Sequence, residues 1–193
     1  MPVKVVDPSA LGRPCKGGIA LKKSIYAVAA WLLLQPMPTF AQVIPRITTD
    51  PAIGGRCLDV PNSNFTAGVR VITYGCQRSP NQAFAHDPNT KTIKAGNLCL
   101  DAFRPGGGAS QAGDPVGLWT CHGGANQKWE PRQTANGHTM IVNLGDGRGA
   151  LCLDVANGLN QNGAQLVLWS CQQSPNQFFE IHGVYRLLTP GAR

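Results

Sequence analysis

No stretch of this chain after residue 41 carries a sustained 3.6-residue apolar period, which excludes a helical domain there. Long hydrophobic runs are scarce as well. The best candidate, Ser24 to Leu34, falls short of the roughly 20 apolar residues that a membrane-spanning helix needs, and Pro36 and Pro38 follow at once. No Cys closes that run, which argues against a lipoprotein anchor. There is no C-x-x-C pair and no His beside Cys at zinc spacing, so no metal or other cofactor is expected. Nucleophile-elbow and metal-protease patterns are absent too, and His86, His122, His138 and His182 stand at unrelated positions. Charged residues make up only 14% of the chain, with no basic stripe interleaved with aromatics, which removes the footprint of a nucleic-acid binder.

Residues 1–41 read apart from the rest. Lys22-Lys23, the apolar run and the small residues around Thr39-Phe40-Ala41 are the parts of a secretory signal peptide, with cleavage expected after Ala41. The segment before Lys22 is long for such a leader and holds Pro2, Pro8, Pro14 and Cys15; a translation start near Leu21 is the alternative to Met1. The division is therefore an N-terminal extension with signal peptide over 1–41 and one domain over 42–193. The product is expected to be secreted, extracellular or periplasmic, with no stable membrane insertion after cleavage. Removing the leader lowers the formal charge from +7 to about +3 and leaves six cysteines of seven, an even number suited to a disulfide framework.

What the remaining 152 residues do contain is a threefold internal repeat. Cys57-Leu58-Asp59, Cys99-Leu100-Asp101 and Cys152-Leu153-Asp154 each open a copy. A second Cys follows after 19, 22 and 19 residues (Cys76, Cys121, Cys171), and an Asn-Gln pair begins five residues later: Asn81-Gln82, Asn126-Gln127, Asn176-Gln177. Each copy places a Gly eight residues before the second Cys (Gly68, Gly113, Gly163) and an aromatic two before it (Tyr74, Trp119, Trp169). Another aromatic stands two residues after the Gln: Phe84, Trp129, Phe179. Such a period marks a repeat architecture.

Short apolar runs at Val69 to Tyr74, Thr92 to Lys94, Met140 to Leu144 and Leu166 to Trp169 read as strands, separated by turn clusters at 61–64, 104–108, 145–147 and 157–158. The expected class is all-β and barrel-like.

The triplets Gln82-Ala83-Phe84, Gln127-Lys128-Trp129 and Gln177-Phe178-Phe179 resemble the Q-x-W signature of ricin B-type lectin domains, and the resemblance spans roughly residues 46–183. It implies a β-trefoil of three four-stranded units about a pseudo-threefold axis, with Phe84, Trp129 and Phe179 meeting in the core. Six cysteines allow fifteen pairings; because two positions recur in every copy, pairing within copies is the simplest, giving Cys57–Cys76, Cys99–Cys121 and Cys152–Cys171. The resemblance also implies one sugar pocket per copy: Asp59, Tyr74, Asn81 and Gln82; Asp101, Trp119, Asn126 and Gln127; Asp154, Trp169, Asn176 and Gln177. The chemistry suits those types, since an ionised carboxylate holds hydroxyls strongly, an amide both donates and accepts, and a ring covers the C–H face of a sugar.

The same residues have plainer uses. The Asp can bond the Gln of its own copy, the Asn can stabilise a turn, and the aromatics can be buried; strand alternation argues against the last, because each ring shares a face with the second Cys. This sequence departs from the family where many members carry Gln four residues before that Cys; here Ile72, Gly117 and Val167 stand there. The Gly-rich insertion from Arg104 to Gly113, followed by Asp114-Pro115, is expected to cover or reshape the second pocket, whereas the third copy departs least.

The function expected is that of a non-catalytic lectin preferring polymers or clustered glycans, because repeated sites raise avidity by about 10²–10⁴. Paired-carboxylate catalysis needs groups roughly 5–10 Å apart, and the three repeat Asp residues belong to separate copies. The alternatives are a protein-interaction or protease-inhibitor scaffold working through one exposed loop, such as 104–113, or the cell-attachment subunit of a multi-chain toxin. A separate toxin or hydrolase chain is then the partner beside the glycan.

Overall fold

A computed structural model describes residues 44–104, 106–159 and 161–183. The expected signal peptide, its cleavage site and Cys15 lie outside the described residues.

Among the described residues there are twelve strands and six one-turn 3-10 helices, and no α-helix. The first copy contributes β1 (Arg46–Thr49), β2 (Cys57–Asp59), β3 (Ile72–Tyr74) and β4 (Ala85–Asp87). The second contributes β5 (Thr92–Ala95), β6 (Leu98–Ala102), β7 (Val116–Thr120) and β8 (Trp129–Gln133). The third contributes β9 (Thr139–Asn143), β10 (Leu151–Val155), β11 (Ala164–Ser170) and β12 (Phe179–His182). All ladders are antiparallel, and the pairings repeat with the sequence. Within each copy the first strand pairs with the second and the second with the third. Between copies, β4 pairs with β5, β8 with β9, and β12 returns to β1, so the ring of copies closes. A second seam joins the third strands: Thr73 opposite Ala164, Arg70 opposite Gly117, and Pro115 opposite Val167. Twelve strands related in this way form the expected β-trefoil.

The alternation of the strands sets what goes inside. Ile47, Leu58, Leu100, Leu118, Ile141, Leu153, Leu166 and Leu168 are fully buried in one cluster that draws on all three copies. Phe84, Trp129 and Phe179 lie in it as expected, at 0%, 0% and 2% exposure. Burying each such ring contributes about 1.5–3 kcal/mol. Trp129 alone brings a polar atom inside, and its Nε1–H donates to the Leu100 carbonyl at 2.9 Å. The Phe rings of the other copies need no partner there, which is a physical reason the motif tolerates them.

The run from Val69 to Tyr74 yields a ladder only over Ile72–Tyr74. Its first half turns to the neighbouring copy instead: Leu118 N–H donates to the Val69 carbonyl at 2.8 Å and Val71 N–H to that of Val116 at 3.1 Å. The turn clusters are one-turn helices or tight bends. Asn62 and Asn157 hold matching left-handed conformations, φ 55° and 57°, in the turns that follow β2 and β10.

Candidate functional site

Each Cys-Leu-Asp strand forms a hairpin with the strand bearing the aromatic, so Cys57 faces Tyr74, Cys99 faces Trp119 and Cys152 faces Trp169 in register. Two residues beyond each ring the chain is fastened back by a disulfide. The bonds are Cys57–Cys76, Cys99–Cys121 and Cys152–Cys171, with Cα separations of 5.0, 5.1 and 5.1 Å. The chain then enters a single 3-10 turn carrying the Asn-Gln pair: Pro80–Gln82, Ala125–Gln127 and Pro175–Gln177.

That turn aims both amides at the Asp of the hairpin. Gln82, Gln127 and Gln177 each donate from Nε2 to an Asp oxygen at 2.8 Å, reaching Asp59, Asp101 and Asp154 respectively. Their second Nε2 hydrogen goes to the carbonyl of Gly75, Thr120 or Ser170, at 2.9 Å in each case. Their Oε1 accepts the N–H of Gln77, His122 or Gln172 at 2.7, 2.9 and 2.7 Å. With exposures of 2%, 0% and 0% and both amide hydrogens committed, these glutamines have next to no surface to offer a ligand. Gln82, Gln127 and Gln177, grouped from the sequence with the sugar-contacting residues, are buried in the structure and brace the carboxylates.

The asparagines are half-buried and differ in kind. Asn81 Nδ2 donates to Asp59 at 3.0 Å and to the Val60 carbonyl at 3.2 Å. Asn126 matches it with Asp101 at 2.9 Å and the Ala102 carbonyl at 3.3 Å. Asn176 donates to both oxygens of Asp154 at 2.9 Å. Their carbonyl oxygens accept from no donor among the described residues. Each site thus presents a carboxylate and an amide carbonyl side by side, a set of acceptors for hydroxyl donors. Burial pushes the carboxyls of Asp59, Asp101 and Asp154 above the ordinary range, and the hydrogen bonds from Gln and Asn offset part of that rise.

Beside each clamp the aromatic is open: Tyr74, Trp119 and Trp169 are 36%, 44% and 46% exposed, among the most exposed large apolar side chains described. Clamp and ring line one cavity per copy, of about 210 Å³ in the first, 580 Å³ in the second and 520 Å³ in the third. The insertion reshapes the second pocket by walling it rather than closing it. Phe103, Arg104, Gly107 and Gly108 line that cavity.

Several pocket residues were not evident from the sequence. Phe103 lies edge-to-face with Trp119, centroids 5.9 Å apart at 72°, in the space left by Gly117, where a Cβ would meet its ring at 2.5 Å. His122 occupies the place that Gln77 and Gln172 hold in the other copies. Its Nδ1 accepts the Gly124 N–H at 3.1 Å, so the neutral ring carries its proton on Nε2, 3.3 Å from Asp101 Oδ2. Asn62 and Asn157 line the first and third cavities. The repeated glycines also belong here: Gly68 lines the second cavity and Gly113 the third, and all three bond to a strand of another copy. Gly68 donates its N–H to the Leu118 carbonyl beside Trp119, Gly113 to that of Leu168 beside Trp169, and Gly163 to that of Thr73 beside Tyr74, at 2.8, 2.7 and 2.8 Å. All three have positive φ, which favours glycine, and a Cβ on Gly68 would touch the Trp119 ring at 3.5 Å. The only sequence signal for this was the fixed offset of those glycines.

Among the described residues, no group of three or more His, Cys, Asp or Glu side chains converges as a metal-binding set, and no helix is long and apolar enough to cross a membrane.

No curated protein matches this chain by sequence. Solved structures match the fold. A designed three-fold symmetric protein, ThreeFoil, is 24% identical with a TM-score of 0.61, over 71% of this chain and 96% of that one. The earthworm R-type lectin C-half, solved with GalNAc, is 20% identical with a TM-score of 0.53, over 72% of this chain and 98% of that one. A Macrolepiota procera ricin B-like lectin, solved with lactose, is 16% identical with a TM-score of 0.56, over 71% and 93%. The family model described as the ricin-type beta-trefoil lectin domain matches residues 47–179. That span holds all three clamps and all three exposed rings, and the chain belongs to the ricin-type β-trefoil lectin family, whose fold supports a sugar-binding role.

Proposed function

We propose that residues 42–193 form a secreted, non-catalytic lectin with one carbohydrate pocket in each copy of the repeat. The observation that carries this reading is the threefold recurrence of one arrangement: a carboxylate held by buried Gln and half-buried Asn, next to a ring with an open face. A sugar edge places hydroxyls on the Asp and Asn oxygens while its C–H face lies on Tyr74, Trp119 or Trp169. Asp59, Asp101, Asp154, Asn81, Asn126 and Asn176 are the hydroxyl-binding residues in this reading, and the glutamines are their supports.

Three shallow pockets on one body favour repetitive ligands, since the second engagement is intramolecular and avidity gains of about 10²–10⁴ follow. The scaffold reading relied on the 104–113 loop acting alone. That loop is instead tied down, with Arg104 Nη1 donating to Asp114 at 3.1 Å and the Gln111 N–H to the same carboxylate at 2.8 Å, and its near half lines the second cavity. This favours the lectin. A separate toxin or hydrolase chain remains compatible with it as a partner that the glycan-binding domain would deliver.

The test is a glycan array combined with insoluble-polysaccharide pull-down of the oxidised protein, beside the triple variant Tyr74→Ala, Trp119→Ala, Trp169→Ala. These rings are exposed, so the variant is expected to stay folded and lose binding. A folded wild-type protein that retains nothing in either screen overturns the proposal.

A further inference from the structure

The three pockets are not three copies of one specificity. Around the shared clamp, the first and third match in type at three positions, Asn62 with Asn157, Gln77 with Gln172 and Ile72 with Val167, and differ in the ring, Tyr74 against Trp169. The second replaces each of them. Arg104 stands at the Asn position, His122 at the Gln position and Gly117 at the aliphatic position, and Phe103 takes the place of Pro61 and Ala156.

The replacements act together. Gly117 has no side chain, and the Phe103 ring occupies the vacated space, meeting Trp119 edge-to-face. The clamp is therefore bordered by two aromatic rings at a steep angle. Beyond them the wall continues through Gly107 and Gly108, which offer backbone only and hold φ of 76° and 95°. Arg104 adds little net charge, because the buried Asp114 carboxylate is 3.1 Å from its guanidinium and offsets it. An acidic sugar thus gains little from this wall. An apolar group projecting from the bound ring has an aromatic corner to enter, whereas the first and third pockets place Pro61 or Ala156 and an aliphatic Ile72 or Val167 there, with Asn62 or Asn157 beside them, and present no second ring.

We infer that the second pocket selects a glycan whose bound ring carries an apolar substituent, while the first and third take the unsubstituted ring. The inference rests on the sugar-binding reading above. It makes the protein a binder of two glycan chemistries at once, two like sites and one unlike, set by Phe103 and Gly117. An added aromatic contact is worth a preference of about 10-fold.

The test follows the indole N–H signals of Trp119 and Trp169 by ¹⁵N NMR on the oxidised protein, assigned with Trp119→Phe and Trp169→Phe. The probes are methyl and phenyl β-glycosides of galactose, glucose, xylose and mannose. Trp119 is expected to respond at about 10-fold lower concentration to the phenyl than to the methyl form, whereas Trp169 responds to both alike. Phe103→Ala and Phe103→Leu are expected to remove the preference at Trp119 and leave the response of Trp169 to both forms unchanged, with the buried Trp129 indole reporting an intact fold. Equal preferences at the two indoles, or a preference that survives both Phe103 variants, overturn this inference and leave the sugar-binding reading standing. No response of either indole to any glycoside overturns both.

Discussion

Gln127 Nε2 donates to Asp101 Oδ2 at 2.8 Å, and the glutamine carrying that bond has no exposed surface at all. Four hydrogen bonds converge on its amide, and Gln127→Ala would leave the Thr120 carbonyl and the His122 and Gly123 N–H groups without it and take one donor from the Asp101 carboxylate. Leaving a buried polar group unpaired costs about 1–3 kcal/mol, so the variant is expected to lose about 3 kcal/mol or more of stability. Urea denaturation of wild type and variant measures it. A loss under about 1 kcal/mol would show that the brace is dispensable.

Trp169→Ala behaves in the opposite way. Its ring is 46% exposed, so the melting temperature should shift little while affinity for the third pocket's ligand falls. A stacked ring is worth about 0.5–1.5 kcal/mol beyond its area, which predicts a drop of about 10-fold in calorimetric titration. A variant that melts early but binds normally would reassign the ring to packing.

Acid separates binding from folding. Burial raises the Asp154 carboxyl pKa in the fold, so acidification protonates it before an ordinary exposed carboxylate. The native state holds that proton more tightly than the unfolded chain does. The contribution to stability is therefore fully present below the unfolded pKa and disappears as pH rises through the folded one. The clamp needs the ionised form. Between pH 7 and 4, binding by the third pocket should weaken, beginning above the usual carboxylate range, with no loss of melting temperature attributable to Asp154. Parallel titrations of affinity and thermal melting check this, and a binding curve flat to pH 4 would remove the carboxylate from the site.

Gly68→Ala should impair a pocket in another copy. The added Cβ sits at φ 96°, strained for any other residue, and lies 3.5 Å from the Trp119 ring. The expected result is a loss of about 1–2 kcal/mol in stability, with impaired binding at Trp119 and unchanged binding at Trp169. The two indole signals read the pockets separately.

Replacing Cys152 and Cys171 by Ala removes a bridge spanning 19 residues and should cost about 3 kcal/mol, measured by chemical denaturation under oxidising conditions.

The trefoil was legible because its determinants recur at fixed offsets. Asp, Asn and the cysteines return three times, and a hairpin in matching register followed by a three-residue 3-10 turn carries each to the same place. What was hidden lies in direction and in neighbours. Spacing alone cannot tell that Gln177 points inward and Asn176 sideways, because adjacent residues of one turn diverge by the geometry of the 3-10 helix. Nor can it tell that Gly68 serves Trp119, 51 residues later, since that contact forms only when the third strands meet. Phe103 and His122 were missed because a repeat comparison highlights what the copies share, and these residues are where the second copy differs.

The pairing of Arg46 with His182 closes the ring by the same kind of seam that joins Ala85 to Lys94 and Gln133 to Thr139. A polymer whose first and last strands are bonded neighbours has no structural need to start where it does. Joined across that seam and reopened in the exposed bend at Ala135-Asn136-Gly137, the same residues would be threaded in a new order around an unchanged barrel. Order along the gene and order around the axis are, for this chain, separate properties.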